Sequence, residues 1–78
     1  ITFQFLIHDE PGLLANMLDI FPECNANIQT INSITPSNGC AVVTIAAETS
    51  NVTASLDEML VAFQQMTGVI KAEVLAAG

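Results

Sequence analysis

His8-Asp9-Glu10-Pro11-Gly12-Leu13-Leu14 stands between an apolar stretch, Ile1 to Ile7, and an amphipathic pattern that runs to Phe21. Phe3, Phe5 and Ile7 alternate with Thr2, Gln4 and Leu6, which is the two-residue period of a strand. Beyond the stretch, Leu13, Leu14, Met17, Leu18 and Phe21 recur at the 3.6-residue period of a helix. A strand therefore gives way to a helix here. Gly12 lets another group approach the backbone closely, and Pro11 pre-sets the first helical turn, with Asp9 or Glu10 as the expected cap. The first N–H groups of such a helix have no intrahelical partner, so they can hold an anion such as a carboxylate.

The remaining residues continue the exchange of periods. Inside a helix Pro22 would remove the bond to the Leu18 carbonyl, so the first helix is expected to stop or kink there. Asn25-Ala26-Asn27 is a turn cluster in which Asn25 suits left-handed backbone. Ile28 to Thr35 reads as a second strand whose isoleucines at 28, 31 and 34 break strict alternation, as a bulge or burial on both faces would explain. Pro36-Ser37-Asn38-Gly39 is a turn signal that joins it in a hairpin to a third strand, Cys40 to Glu48. After a polar connection from Thr49 to Ala54, Ser55-Leu56-Asp57-Glu58 fits a capping box. Leu56, Met59, Leu60 and Phe63 make the buried stripe of a second helix, and Gly68 ends it. Val69 to Ala76 closes the chain as a strand, with Ile70, Ala72 and Val74 opposed to Lys71, Glu73 and Leu75.

With right-handed crossovers, this order predicts an α+β, ferredoxin-like βαββαβ sandwich. Its four-stranded antiparallel sheet has the order 4-1-3-2 and both helices on one face. Strand two is then an edge, and the second sheet face has no cover of its own.

Composition narrows the function. Seventy-eight residues make a single domain, 1–78, and a hydrophobic content of 51% predicts an apolar surface that a partner covers. The net charge is −7, with Lys71 the sole cation. Phosphate contacts need Lys or Arg in number, which argues against nucleic acid and anionic membranes as partners. Without arginine there is no bidentate clamp, so an anionic ligand must use backbone amides, neutral donors or groups from another chain. Cys24 and Cys40 fit neither a disulfide framework nor a metal site and read as small apolar fillers. No apolar run reaches the roughly 18 residues of a membrane span, and no signal peptide is present, so a cytoplasmic setting is expected. The chain opens inside a strand pattern without methionine and reads as a piece of a longer protein.

Several chemistries of this fold fail on missing residues. An RNA-recognition module needs basic residues and stacking aromatics, whereas the central strands offer Phe3 and Phe5 at core spacing. A copper carrier needs a close cysteine pair in the first loop, and a small phosphatase of this fold needs an arginine. His8 beside Asp9 invites an acid–base reading, but no nucleophile lies near it in sequence, and the pair equally decorates a strand-to-helix loop. Asp9, Glu10, Asp57 and Glu58 do not have calcium-loop spacing and read as solvated helix starts. No catalytic residue, metal site or cofactor is expected.

Asp9-Glu10-Pro11-Gly12-Leu13-Leu14 resembles the D-x-P-G-L-L opening of helix one in the ACT domain, a regulatory module that commonly binds amino acids. Asn27-Ile28 is similar to the G-x-N-I that begins its second strand, with Asn25 where glycine is usual, and Gly68-Val69 followed by Val74 looks like its last helix-to-strand passage. The likeness covers essentially the whole chain. Ile28 to Ser33 and the turn through Gly39 look closest to small ACT proteins of the PheB type, some of which are linked to chorismate mutase or phenylalanine metabolism. The mutase activity does not carry over, because a dianionic substrate calls for cations and only Lys71 is present.

The resemblance implies an effector held between the first loop of one copy and the start of strand two of a neighbour. The backbone from Glu10 through Pro11 and Gly12 to Leu14 would receive the effector carboxylate. Asp9 and Asn27 would compete to meet its ammonium, and Leu13, Leu14 and Ile28 would line the side-chain pocket. Alternatively, Pro11 and Gly12 only make a tight turn and the leucines fill the core. Two functions follow: an amino-acid-sensing regulatory domain of amino-acid metabolism, paired as a homodimer or higher oligomer through a sheet edge or face, or a ligand-free assembly module. A third reading has the domain completing an enzyme site in its parent chain.

Overall fold

A computed structural model describes residues 1–34, 39–53 and 55–76. The elements are β1 (Thr2–His8), α1 (Leu13–Glu23), β2 (Asn27–Ile34), β3 (Cys40–Glu48), α2 (Leu56–Gln64) and β4 (Val69–Ala76). The strands lie in the order β2-β3-β1-β4, with every neighbouring pair antiparallel, as the sequence predicts. The alternation in β1 sets the layers. Phe3, Phe5 and Ile7 stand opposite Ile45, Val43 and Ala41 of β3, and all six are buried. Met17 and Phe21 from α1 and Met59 and Phe63 from α2 join them in one core.

All four phenylalanines of the chain meet in this core. Phe5 and Phe63 have ring centroids 4.7 Å apart, Phe21 and Phe63 5.2 Å, and Phe3 meets Phe21 edge-on at 5.6 Å. Offset and edge-on ring pairs add about 0.5–1.5 kcal/mol each beyond the area they bury. The cluster joins the central strand to both helices.

Three local features differ from the sequence expectations. The first concerns the start of α1. It begins at Leu13 behind Gly12, which is in the left-handed region at φ 80, and neither Asp9 nor Glu10 caps it. Pro11 precedes the cap. Second, α1 stops as expected at Pro22 but takes the proline in, ending one residue past it at Glu23. In the last turn the proline sacrifices a single bond, and the turn is closed behind it. The Ala26 N–H donates to the Phe21 carbonyl at 2.8 Å and the Asn25 N–H to that of Pro22 at 3.1 Å, with Asn25 at φ 60. This is a Schellman closure with asparagine in the left-handed position, and Ala26 and Phe21 are both buried beside it. Third, Ile70 is 48% exposed instead of core-facing. The register of β4 on β1 shifts between Leu6 and Ile7, so that Val69 takes the place opposite Ile7.

The irregular β2 pattern is a bulge. Its register on β3 passes from Ile28↔Ala47 to Thr30↔Ala46, leaving Gln29 unpaired. Ile28 and Ile31 then share the helix-bearing face, while Ile34 shares the other face with Val42. Burial on both faces is not the reason, since Ile31 is 45% and Ile34 59% exposed. Of the hairpin turn, Pro36, Ser37 and Asn38 lie outside the described residues, as does Ala54 in the connection before α2; Gly39 has φ 68. At α2 the expected cap forms, with the Glu58 N–H donating to Ser55 Oγ at 3.1 Å.

Phe63→Ala is expected to cost about 3–5 kcal/mol of unfolding free energy, because it removes the ring that touches the other three. Ser55→Ala is expected to cost about 1 kcal/mol through the lost cap. Urea unfolding followed by circular dichroism measures both, and equal costs would contradict the central place given to Phe63.

Candidate functional site

The loop from His8 to Leu14 is tied down at both sides by backbone bonds. The His8 N–H donates to the Gly68 carbonyl at 2.8 Å, and the Asp9 N–H to the Gly39 carbonyl at 2.7 Å. Three connections therefore meet at one end of the sheet: the β1–α1 loop, the β2–β3 hairpin and the α2–β4 turn. Gly68 is required by contact as well as by its φ of 96. A Cβ there would lie 2.8 Å from Leu13 Cδ2 and 3.2 Å from Glu10 Oε2. Leu13 is thus buried against the α2–β4 turn, with the Glu10 carboxylate beside it.

The head of α1 leaves several backbone N–H groups without a partner. The Leu13 N–H donates to the Glu10 carbonyl at 3.3 Å, and the Asn16 N–H to that of Gly12 at 3.0 Å. No acceptor for the N–H groups of Gly12, Leu14 or Ala15 is found among the described residues. Asp9, Glu10, Pro11 and Gly12 are exposed and Leu14 is half-buried, so these donors are open to a ligand. Asp9 and Glu10 precede them in the same exposed loop. A simple anion arriving at the donors meets Asp9 and Glu10 as like charges, whereas a zwitterion offers those carboxylates its own cation.

Asn27 and Ile28 lie elsewhere. His8 pairs with Cys40 at one end of β3 and Ile28 with Ala47 near the other, about 23 Å away at roughly 3.3 Å per residue. One copy of the chain does not bring the two halves of the expected pocket together. Asn27 does have a neighbour that the sequence reading missed. Glu48 is its register partner on the same sheet face, and Glu48 Oε1 accepts the Ser50 N–H at 2.8 Å. That bond holds the Glu48 carboxyl below the usual glutamate range. Counting the hairpin pairing past the Gln29 bulge is the signal that finds it.

Among the described residues no three His, Cys, Asp or Glu side chains gather as metal ligands, and no helix is long and apolar enough to cross a membrane. Cys24 and Cys40 are free and half-buried. A depression of about 230 Å³ lies away from the loop, on the sheet face without helices, between Gln4, Leu6, Val42, Lys71 and Glu73.

Comparison with known proteins places this arrangement. The ACT domain family profile matches residues 1–73. The chain belongs to the ACT domain family. It is 41% identical over 75 residues to a UPF0735 ACT domain-containing protein of Caldicellulosiruptor saccharolyticus, covering 96% of this chain and 50% of that protein. A UPF0735 ACT domain-containing protein of Clostridium novyi is 39% identical over 75 residues, with 96% of this chain and 52% of that one covered. The chain thus spans about half the length of the curated relatives it matches. In three dimensions it is similar to the ACT domain from GTP pyrophosphokinase of Chlorobium tepidum, with a TM-score of 0.72, 17% identity, and 95% and 94% of the two chains covered. That likeness concerns the fold. ACT domains are regulatory, ligand-binding modules, and the open donors at the head of α1 suit such a role.

The contacts at Gly68 separate it from Gly12, where a Cβ would meet nothing within 4 Å. Gly12→Ala is expected to cost only the left-handed backbone penalty of about 1–2 kcal/mol. Gly68→Ala is expected to cost at least about 1 kcal/mol more, because buried Leu13 must move. Urea titration of both variants checks the order; the reverse order would show that the α2–β4 turn does not anchor the loop.

Proposed function

We propose that this ACT domain senses a free α-amino acid at an interface between two copies, and so regulates a protein of amino-acid metabolism. The open N–H groups of Gly12, Leu14 and Ala15, preceded by Asp9 and Glu10 in the exposed loop, carry the reading. The donors take the α-carboxylate, and Asp9, with Asn27 of the second copy, takes the ammonium. Leu14 and Ile28 contribute apolar surface to the effector side chain. The carboxylates that precede the donors disfavour phosphates and dianions, in keeping with a chain of net charge −7.

The separation of Asn27 and the loop supports the part given to a second copy. β2 is an edge strand with no charged residue and no proline from Asn27 to Ile34. Such an edge is open to another strand. β4, the other edge, carries Lys71 and Glu73 and departs from regular pairing twice, against the single bulge of β2 at Gln29, and charge and bulges discourage addition. Two β2 strands joined antiparallel about a two-fold axis bring Asn27 of each copy to the loop end of the other, and half-exposed Ile31 is covered.

Thermal unfolding with each of the twenty amino acids tests the reading. At 100 times its Kd the effector adds about 2.7 kcal/mol, a rise on the order of ten degrees for a domain this small. The matching α-keto acid, lacking the ammonium, is expected to give no rise. Ile31→Lys, which sets a charge on the β2 edge, is expected to reduce the sedimenting mass and abolish the rise together. If no amino acid shifts the paired chain, the domain is a ligand-free assembly module.

A further inference from the structure

Cys24 and Cys40 read alike in sequence, but the structure separates them. Cys24 packs against the core, whereas Cys40, the first residue of β3, is half-buried and stands outside the core cluster. Ala41, Val43, Ile45 and Ala47 are the buried, helix-facing residues of β3, so Cys40 belongs to the opposite face by alternation. Its register partner on β1 is His8, the one histidine of the chain.

His8 and Cys40 form the closer of the two kinds of antiparallel pair. Ile1 and Ala47 exchange both backbone bonds, at 3.1 and 2.8 Å, so theirs is a hydrogen-bonded pair. The two kinds alternate along a ladder, which makes His8 with Cys40 a non-hydrogen-bonded pair. The Asp9 N–H donating to the Gly39 carbonyl, one residue further on each strand, is the bond that such a pair requires. Side chains so placed leave one face of the sheet with their Cβ atoms about 4.5–5.5 Å apart, within reach of one ion. Neither the imidazole nor the thiol has a hydrogen-bond partner among the described residues.

We propose that His8 and Cys40 chelate a divalent cation of the Zn²⁺ kind, as two protein ligands with water in the remaining positions. A thiolate with a neutral imidazole selects borderline and soft ions over Ca²⁺ and Mg²⁺, which take oxygen ligands. On binding, the Cys40 sulfur bonds to the metal as the thiol proton leaves to solvent, and one imidazole nitrogen donates its lone pair. The net charge of −7, with Asp9 and Glu10 directly after His8, draws cations to this corner. An ion held there joins the last residue of β1 to the first of β3. Gly39, whose carbonyl holds the Asp9 N–H, is the next residue, so the ion braces the candidate loop. The site is complete in one copy and does not depend on amino-acid sensing.

Titration of the reduced, untagged chain with Co²⁺ tests the site, because a sulfur-to-cobalt charge-transfer band in the near ultraviolet requires a thiolate ligand. The band is expected in the native chain and in Cys24→Ser, and is expected to vanish in Cys40→Ser. His8→Gln is expected to weaken Co²⁺ binding at least tenfold. Zn²⁺ is expected to bleach the band and to slow alkylation of Cys40 by iodoacetamide, with Cys24 unchanged, as read by peptide mass spectrometry. Lower pH is expected to weaken binding, since protons compete for both ligands. Both substituted side chains lie outside the core, so far-UV circular dichroism is expected to stay native in each variant. No band in the native chain, a band that survives Cys40→Ser, or native affinity in His8→Gln would overturn the proposal.

Discussion

The contact of Phe63 with Phe3, Phe5 and Phe21 is the one on which the rest of the molecule depends. It joins the central strand β1 to both helices in a chain that has no tryptophan or tyrosine to share the task. Phe21 sets where α1 ends, beside the Schellman closure, and Phe63 sets where α2 turns toward Gly68. The positions of the two helices in turn set the head of α1 and the α2–β4 turn, which hold the candidate loop between them. The geometry of the candidate loop at one end of the sheet is thus held by aromatic packing in the middle of it.

Much of this was legible because it is local. Phe3, Phe5 and Ile7 announce their face by alternation, Met59 and Phe63 by helical spacing, and Ser55 and Asn25 by side-chain and backbone preferences that need no distant partner. The parts that escaped are those a distant partner decides. Gly12 caps α1, where Asp9 or Glu10 was expected, because the backbone of His8 and Asp9 is already committed to Gly68 and Gly39. Ile70 leaves the core because a pairing shift on β1 gives its place to Val69. At Pro22 the helix stops within one residue, as expected, and what the sequence did not show is the closure that Asn25 and Ala26 supply behind it.

The candidate site divides along the same line. The loop and its donors could be read from Pro11 and Gly12, since helix starts are local. The distance between the loop and Asn27 could not, since it depends on strand register. Nor could the presence of Glu48 beside Asn27, which follows from how the hairpin absorbs Gln29. Two motifs that lie fifteen residues apart in sequence, from Gly12 to Asn27, end at opposite ends of one sheet. Within one copy, that separation keeps the two halves of the expected pocket apart.

The irregular pairing of β4 has a consequence for how far assembly can go. A sheet with two equally inviting edges can add copies β2 to β4 without end, and a rotation that never closes produces a fibre. Here β4 is bent out of register near Ile70 and again near Phe3, and it carries charge between the two bends. In the proposed edge pairing, strand-to-strand growth is left to β2, and a strand that joins only to its own counterpart stops after one addition. In the proposed assembly the pairing shifts beside Ile70 and Phe3 would act as a terminator of strand-to-strand growth.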